Sequence, residues 1–337
     1  MRLKLILLVA LFFGVATESA NCQATEIPSF WTAPVKLEGM SASRVSAVWY
    51  NEQLHIVHGG KNNDELWHAW WDGREWSRNR VSTLPAENRG TPALAVFKNS
   101  LHIVYKSVNN TLWHATSQGQ NWTSLGQIPG QKTYYSPSMV AYPYNHSTGQ
   151  PDNRLWMFHS GAASDNKQYL WDSYFNGVAW SDDQKGPGVS QNAVTHSMHN
   201  GRLYRASVYE SSITFNTYVN AVGWHQASAV PQLPNSARST TPIALASDGR
   251  SLYAFYRHSR SGAGSEEPVH AAVFTGSTWQ TPRAIKDFVT SDGLAVVAVP
   301  GDSIQLYLFF TRGKDIYFTG TQSLKPMPLR PLLQRAN

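Results

Sequence analysis

The amino-acid sequence predicts an all-β fold, a six-bladed β-propeller in which an N-terminal strand completes the last blade. Three observations predict it. A strand-rich segment recurs about six times, a Trp recurs at one place in each copy, and the piece missing from the last copy stands at the start of the chain.

The repeat is clearest in its first three copies. The first runs Val45-Ser-Ala-Val-Trp-Tyr, Leu54-His-Ile-Val-His, Leu66-Trp-His-Ala-Trp-Trp and Trp76-Ser. The second runs Pro92-Ala-Leu-Ala-Val-Phe, Leu101-His-Ile-Val-Tyr, Leu112-Trp-His-Ala and Trp122-Thr. The third runs Pro137-Ser-Met-Val-Ala-Tyr, Leu155-Trp-Met-Phe-His, Leu170-Trp-Asp-Ser-Tyr and Trp180-Ser. Weaker copies follow at Leu203-Tyr-Arg-Ala-Ser with Trp224 and at Leu252-Tyr-Ala-Phe-Tyr with Trp279. The sixth offers Leu294-Ala-Val-Val-Ala-Val, Ile304-Gln-Leu-Tyr-Leu-Phe-Phe and Ile316-Tyr-Phe-Thr. Each run is short, aromatic or β-branched, and bounded by turns such as Asp72-Gly73, Asn176-Gly177 and Asp248-Gly249, which is the strand signal. Four such runs in each repeat match a propeller blade.

The sixth copy never reaches its fourth-strand Trp. The missing run appears instead as Trp31-Thr-Ala-Pro-Val-Lys-Leu. A strand from the N-terminus that completes the last blade ties the ring shut and leaves few open sheet edges. The series Trp31, Trp76, Trp122, Trp180, Trp224 and Trp279 therefore counts six blades. A large aromatic at one fixed place is what face-to-face blade packing needs, so the series reads first as core.

Composition agrees with this reading. Of 337 residues, 42% are hydrophobic and only 15% charged, with 24 Gly and 18 Pro for the many turns; disorder would show the opposite balance. The ends read as separate segments. Residues 1–24 are expected to be a secretory signal, with Arg2 and Lys4 before an apolar run from Leu5 to Val15 that is too short to span a bilayer comfortably. Cleavage after Ala16 or after Ala24 fits the small-residue rule, and the second removes Cys22, the single cysteine. The propeller is expected over 30–322, and the Pro-rich basic stretch 323–337 is expected to be disordered. The net charge of +6 belongs mostly to these ends: without residues 1–20 and the tail, 23 basic residues face 21 acidic ones. That balance, with no basic stripe, excludes a nucleic-acid binder, and no later segment is apolar enough for a membrane helix.

The blade pattern resembles the fucose-specific-lectin-like propellers, part of a wider sialidase-like group. The residues that carry the likeness are Pro92-Ala-Leu-Ala-Val-Phe, Leu101-His-Ile-Val-Tyr, Leu112-Trp-His-Ala and Trp122-Thr with their counterparts. The resemblance implies sugar sites between neighbouring blades, built from an Arg, a carboxylate and aromatic rings. Here no Arg/Glu pair recurs at one blade position.

The residues themselves point to the same chemistry. A pyranose offers an apolar C–H face to an aromatic ring and a rim of hydroxyls to planar polar groups, and repeated shallow sites gain strength on a multivalent surface. Trp67, Trp113 and Trp171 share one register, with His68 and His114 beside the first two. Tyr253 belongs to a second series with His55, His102, Trp156, Tyr204 and Tyr307. Trp67, His68, Trp113, His114, Trp171 and Tyr253 are therefore the candidate ligand contacts, with interblade packing as the bland alternative. The expected function is a secreted, lectin-like protein whose partners are glycans or glycoconjugates.

Two other classes stay open. A secreted glycoside hydrolase would place its site in the central funnel and needs paired carboxylates; Asp64/Glu65, Asp182/Asp183 and Glu266/Glu267 are the acidic pairs, all placed in loops. No Asp-box turn is complete, since Ser247-Asp-Gly-Arg lacks the following Trp. A propeller can also serve as a protein-interaction platform. No cofactor is expected, as neither a phosphate-binding glycine loop nor a nucleophile elbow occurs. No metal is expected either. His55 and His58, three apart on a strand, point to opposite faces, and His196 and His199 are the spacing a turn could bring together. Sequons at Asn109, Asn121 and Asn145 are candidate glycosylation sites.

Overall fold

In the computed structural model the described residues are 26–41, 44–60, 65–71, 74–81, 90–119, 121–144, 151–161, 168–219, 223–225, 230–259, 266–299 and 305–321. The expected signal segment, the tail, Asp64, the Asp72-Gly73 turn and Asn145 lie outside them. The aromatic and β-branched runs form 24 strands among the described residues, arranged as six antiparallel sheets of four, a six-bladed β-propeller. No helix among them is long and apolar enough to cross a membrane.

The chain opens with β1 (Val35–Ser41) and then builds the first blade from β2 (Val45–Tyr50), β3 (Gln53–Gly59), β4 (Leu66–Trp71) and β5 (Trp76–Arg80). The second blade is β6 (Ala93–Phe97), β7 (Ser100–Lys106), β8 (Thr111–Ser117) and β9 (Trp122–Lys132). The third is β10 (Ser138–Tyr144), β11 (Pro151–Ser160), β12 (Tyr169–Phe175) and β13 (Gln184–Val189). The fourth is β14 (Thr195–His199), β15 (Arg202–Tyr209), β16 (Ser212–Val219) and β17 (Gly223–His225). The fifth is β18 (Ala244–Ser247), β19 (Leu252–Arg257), β20 (Glu267–Phe274) and β21 (Arg283–Thr290). The sixth is β22 (Ala295–Val299), β23 (Gln305–Arg312) and β24 (Asp315–Gly320), completed by β1.

The first strand of each blade lines the axis, and these six neighbour one another in a closed ring. Small residues such as Ala47, Ala93, Ala244 and Ala295 let them converge. The second strands are buried on both faces because blades stack on either side. Leu54, Leu101, Leu155, Leu203, Leu252 and Leu306 hold one register and are all 0% exposed. Two-residue turns join several hairpins, with positive φ at both central residues in Asn51-Glu52, Lys98-Asn99, Asn200-Gly201 and Glu210-Ser211.

The ring closes as the sequence predicts. β1 pairs antiparallel with β24, Val35 opposite Phe318 and Lys36 opposite Tyr317. Just before it, the Thr32 N–H donates to Gly320 O at 2.9 Å. Lys36 also meets Asp315 at 2.8 Å, both exposed.

The Trp series has one structural job: each Trp docks on the preceding blade. His68, His114, Asp172, Phe215, Ala271 and Phe318 occupy one third-strand position, as their pairing with Val57, Val104, Phe158, Ala206, Phe255 and Phe309 shows. Trp122 donates its indole N–H to His68 Nδ1 at 3.3 Å, and Trp180 donates to His114 Nδ1 at 3.1 Å. Trp224 donates to Asp172 Oδ2 at 3.3 Å. Trp279 packs 4.6 Å from Phe215, and Trp76 packs edge-on at 5.5 Å from Phe318. Ala271 is too small to reach, so Trp31 extends to Phe255 at 5.8 Å.

Three fourth strands, β1, β13 and β21, begin later than the sequence predicts. Trp180 and Trp279 make only isolated bridges, to Phe175 and Phe274. After Trp180 the Ser181 hydroxyl takes the Tyr174 N–H in place of a strand carbonyl, and after Trp279 Pro282 has no N–H to offer.

Candidate ligand cleft between the second and third blades

The turn chemistry and the Trp docking together open a cleft of about 570 Å³ between the second and third blades. Its floor is His102 on β7 with His114 and Thr116 on β8. One wall is β9 from Leu125 to Pro129, the other the hairpin end from Phe175 to Trp180. That hairpin end is set by Asn176, whose side-chain oxygen accepts the Val178 and Ala179 N–H groups at 2.8 and 2.9 Å. Gly177 supplies the positive φ of 103°. Lys98 closes one end by donating to Asn176 O at 2.8 Å.

The aromatic wall is a packed unit. Phe175 meets the His114 ring edge-on at 4.8 Å and lies 5.5 Å from Trp180. The rim is apolar and open to solvent: Val178, at the tip of this wall, is 89% exposed, and Leu125, on the wall opposite, 48%. Exposed aliphatics flanking a polar floor are the pattern of a ligand groove.

The floor histidines have defined protonation. An indole N–H can only donate, so His114 Nδ1 accepts from Trp180 and the ring's proton resides on Nε2. That Nε2–H donates to His102 Nδ1 at 2.9 Å, which in turn places the His102 proton on its own Nε2. Burial drives both rings towards neutrality, His102 down to about 4 and His114 down to about 3, the latter with a further push from His102. His55, His68 and Trp122 repeat the relay between the first and second blades, with 2.9 Å between the imidazoles.

The six ligand contacts expected from sequence are dispersed. Only His114 lines this cleft. His68 is fully buried beneath Trp122, and Tyr253 is fully buried with its hydroxyl donating to Asp248 Oδ2 at 3.1 Å. Trp67, Trp113 and Trp171 are half-buried, one residue before His68, His114 and Asp172 on their strands, and so face the opposite way. Their edges are engaged by the protein: Trp67 donates to Glu65 at 3.1 Å beneath Arg78, and Trp113 donates to Thr111 at 3.2 Å. Trp171 lies against Gly161, where a Cβ would come within 2.6 Å of its indole nitrogen.

The remaining candidates also find places. Asn109 and Asn121 are exposed. Asp183 pairs with the buried His159 at 3.0 Å, and Glu267 lies buried in β20 instead of in a loop. His196 and His199 both lie in β14, not at a turn, and part company: His196 bonds Ser138 in the third blade at 2.8 Å, and His199 bonds Ser247 in the fifth at 2.9 Å. Leu125, Val178, Phe175 and Lys98 had no signal in the sequence, because the loop ends that carry them differ from blade to blade.

A second cleft, about 620 Å³, lies at the corresponding place between the fifth and sixth blades, with Trp31 in the position of Trp180. Tyr253 and Ala271, which hold the register positions of His102 and His114 in the fifth blade, do not line it. The axial channel is narrower, about 100 Å³, and its polar lining is Arg44, Ser46, Ser138, Thr195 and His196; no carboxylate lines it among the described residues.

No family model and no curated protein matches the chain. Solved structures do. A fungal lectin from Aleuria aurantia, described as a six-bladed propeller with a novel fucose recognition mode, is 18% identical at a TM-score of 0.60, covering 82% of this chain and 91% of that one. AofleA from Arthrobotrys oligospora is 12% identical at 0.63, covering 88% of each chain. The Hadza microbial sialidase Hz136 is 10% identical at 0.64, covering 84% of this chain and 66% of its own. The chain thus shares the six-bladed propeller fold of fucose-recognising lectins and of a sialidase.

Proposed function

We propose that the protein is a secreted carbohydrate-binding propeller that holds a sugar in the cleft between the second and third blades. The observation that carries this reading is the pairing, in one solvent-open cleft, of an aromatic and aliphatic wall with a hydrogen-bonding floor. A pyranose stacks its C–H face on such a wall and turns its hydroxyls to His102, Thr116 and Gln127. The exposed Val178 and Leu125 favour a sugar with an apolar substituent, such as the methyl group of a 6-deoxyhexose. The fold shared with fucose-recognising lectins supports the same choice. A funnel hydrolase is less well supported, since the axial lining offers no carboxylate pair among the described residues.

A glycan array probed with the secreted form and with L125D and V178D proteins tests this. Both substitutions fall on exposed side chains and should leave the fold intact. Selective binding that both weaken supports the reading; a blank array, or binding indifferent to both, rejects it. Export rests on the basic start and apolar run of residues 2–15. N-terminal sequencing of protein recovered from the medium tests it, a start at Thr17 or Thr25 being the expected result.

A further inference from the structure

Arg44 stands at the mouth of the axial channel and is 7% exposed, yet its Nε is buried without a hydrogen-bond partner. The chain makes room for it: at Gly293 a Cβ would come 2.8 Å from Arg44 Cδ, so a side chain there would collide with the arginine stem. A guanidinium held in a protein interior and left short of partners is costly, and such sites gain from a counter-charge.

The carboxylate that acts on Arg44, Asp292, is not given to it alone. Asp292 acts on both Arg44 and Arg257, and its Oδ1 is already used by the Gly293 N–H at 2.7 Å. Arg257 is buried and donates to Thr240 Oγ1 at 3.1 Å. Asp292 is thus divided between the Gly293 N–H and the fields of two guanidinium groups.

The rest of the channel presents hydrogen-bonding groups. Each inner strand, β2, β6, β10, β14, β18 and β22, is paired on one side only, so a row of its backbone groups faces the axis. Thr195 Oγ1 and His196 Nε2 are buried without partners on residues lining the same channel. About 100 Å³ is too little for a pyranose but enough for a halide with one or two waters.

We propose that the axial channel is an anion site, in which Arg44 holds a small monovalent inorganic anion of halide size. The site is independent of the sugar cleft, which lies on the far side of the inner strands.

Bromide is the probe. Crystals of the full propeller grown in bromide should show an anomalous peak in contact with the Arg44 guanidinium; only water there, or bromide only on the outer surface, would overturn the proposal. In solution, bromide should raise the melting temperature by about 2 °C or more over isethionate at equal ionic strength. R44M should lose that difference, and R250Q, at an exposed arginine, should keep it. Equal responses in R44M and the parent would also overturn it. If R44M does not fold, the bromide peak in the parent decides.

Discussion

Trp180 of the third blade gives its indole N–H to Nδ1 of His114 in the second, 3.1 Å away, while His114 passes its own proton's bond to His102. One contact therefore joins two blades, fixes two imidazole tautomers and forms the back of the cleft.

Replacing His114 by Phe keeps a ring in place but strands the Trp180 N–H, at a cost of about 1–3 kcal/mol. W180F removes the donor and should cost a similar amount. The double variant should be less destabilised than the sum, since neither partner then waits for the other. Urea unfolding of the four proteins measures the coupling; strict additivity would show that the hydrogen bond contributes nothing.

Acid should weaken the fold through these relays. His55 and His102 are held down to about 4, and His68 and His114 to about 3, chiefly by burial. The unfolded chain takes up these protons near 6.5, so the stability they contribute is whole above that pH and is lost progressively on acidification towards 4 and 3. Asp172 runs the other way. Burial pushes it up to about 6, so its contribution is whole below the ordinary carboxylate range and is lost as pH rises through about 6. Four imidazoles outweigh one carboxyl, and unfolding free energy should fall steadily from pH 6.5 to 4. A flat profile over that range would contradict the neutral relays.

Gly186 separates two buried charges. A Cβ there would sit 3.0 Å from Arg205 Nη1 and 3.2 Å from Asp172 Oδ2. Arg205 is further held by stacking over Trp224 at 4.1 Å and by donating to Asn216 Oδ1 at 3.2 Å, so it has little room to retreat. G186A should destabilise by about 1–3 kcal/mol through overpacking. Thermal unfolding checks it, and no change would mean that the arginine yields freely.

Trp31 clamps the closing strand, edge-on to Phe255 at 5.8 Å and to Phe288 at 6.1 Å. W31A should cost about 2–4 kcal/mol, as large-to-small changes at packed aromatics do. Hydrogen exchange should then quicken first in β1 and β24; uniform change across all blades would argue against a local clamp.

The architecture was legible because it is periodic. Six Trp residues, five Leu-initiated second strands and the Ile304-Gln-Leu run of the sixth state the blade count, and Trp31 without a partner copy states the closure. The site was only partly legible. His68 and His114 look alike in sequence, each in a Leu-Trp-His-Ala run. Yet Trp122 seals the first, while the second opens on a cleft because the ends from Leu125 to Pro129 and from Phe175 to Trp180 stand apart. Strand alternation separates Trp113 from His114 onto opposite faces, but which face is open depends on loops in the neighbouring blade.

The bond between Thr32 and Gly320 spans 288 residues. Synthesised from its N-terminus at about 5–20 residues per second, the chain must wait roughly 15–60 s between making the two partners. Until then β1 has no sheet to join and β2 has no neighbour on its far side. Assembly on the ribosome can proceed blade by blade, but the final circle is necessarily the last event. A protease or a holding chaperone acting on the nascent chain would meet the first strand as an unpartnered peptide.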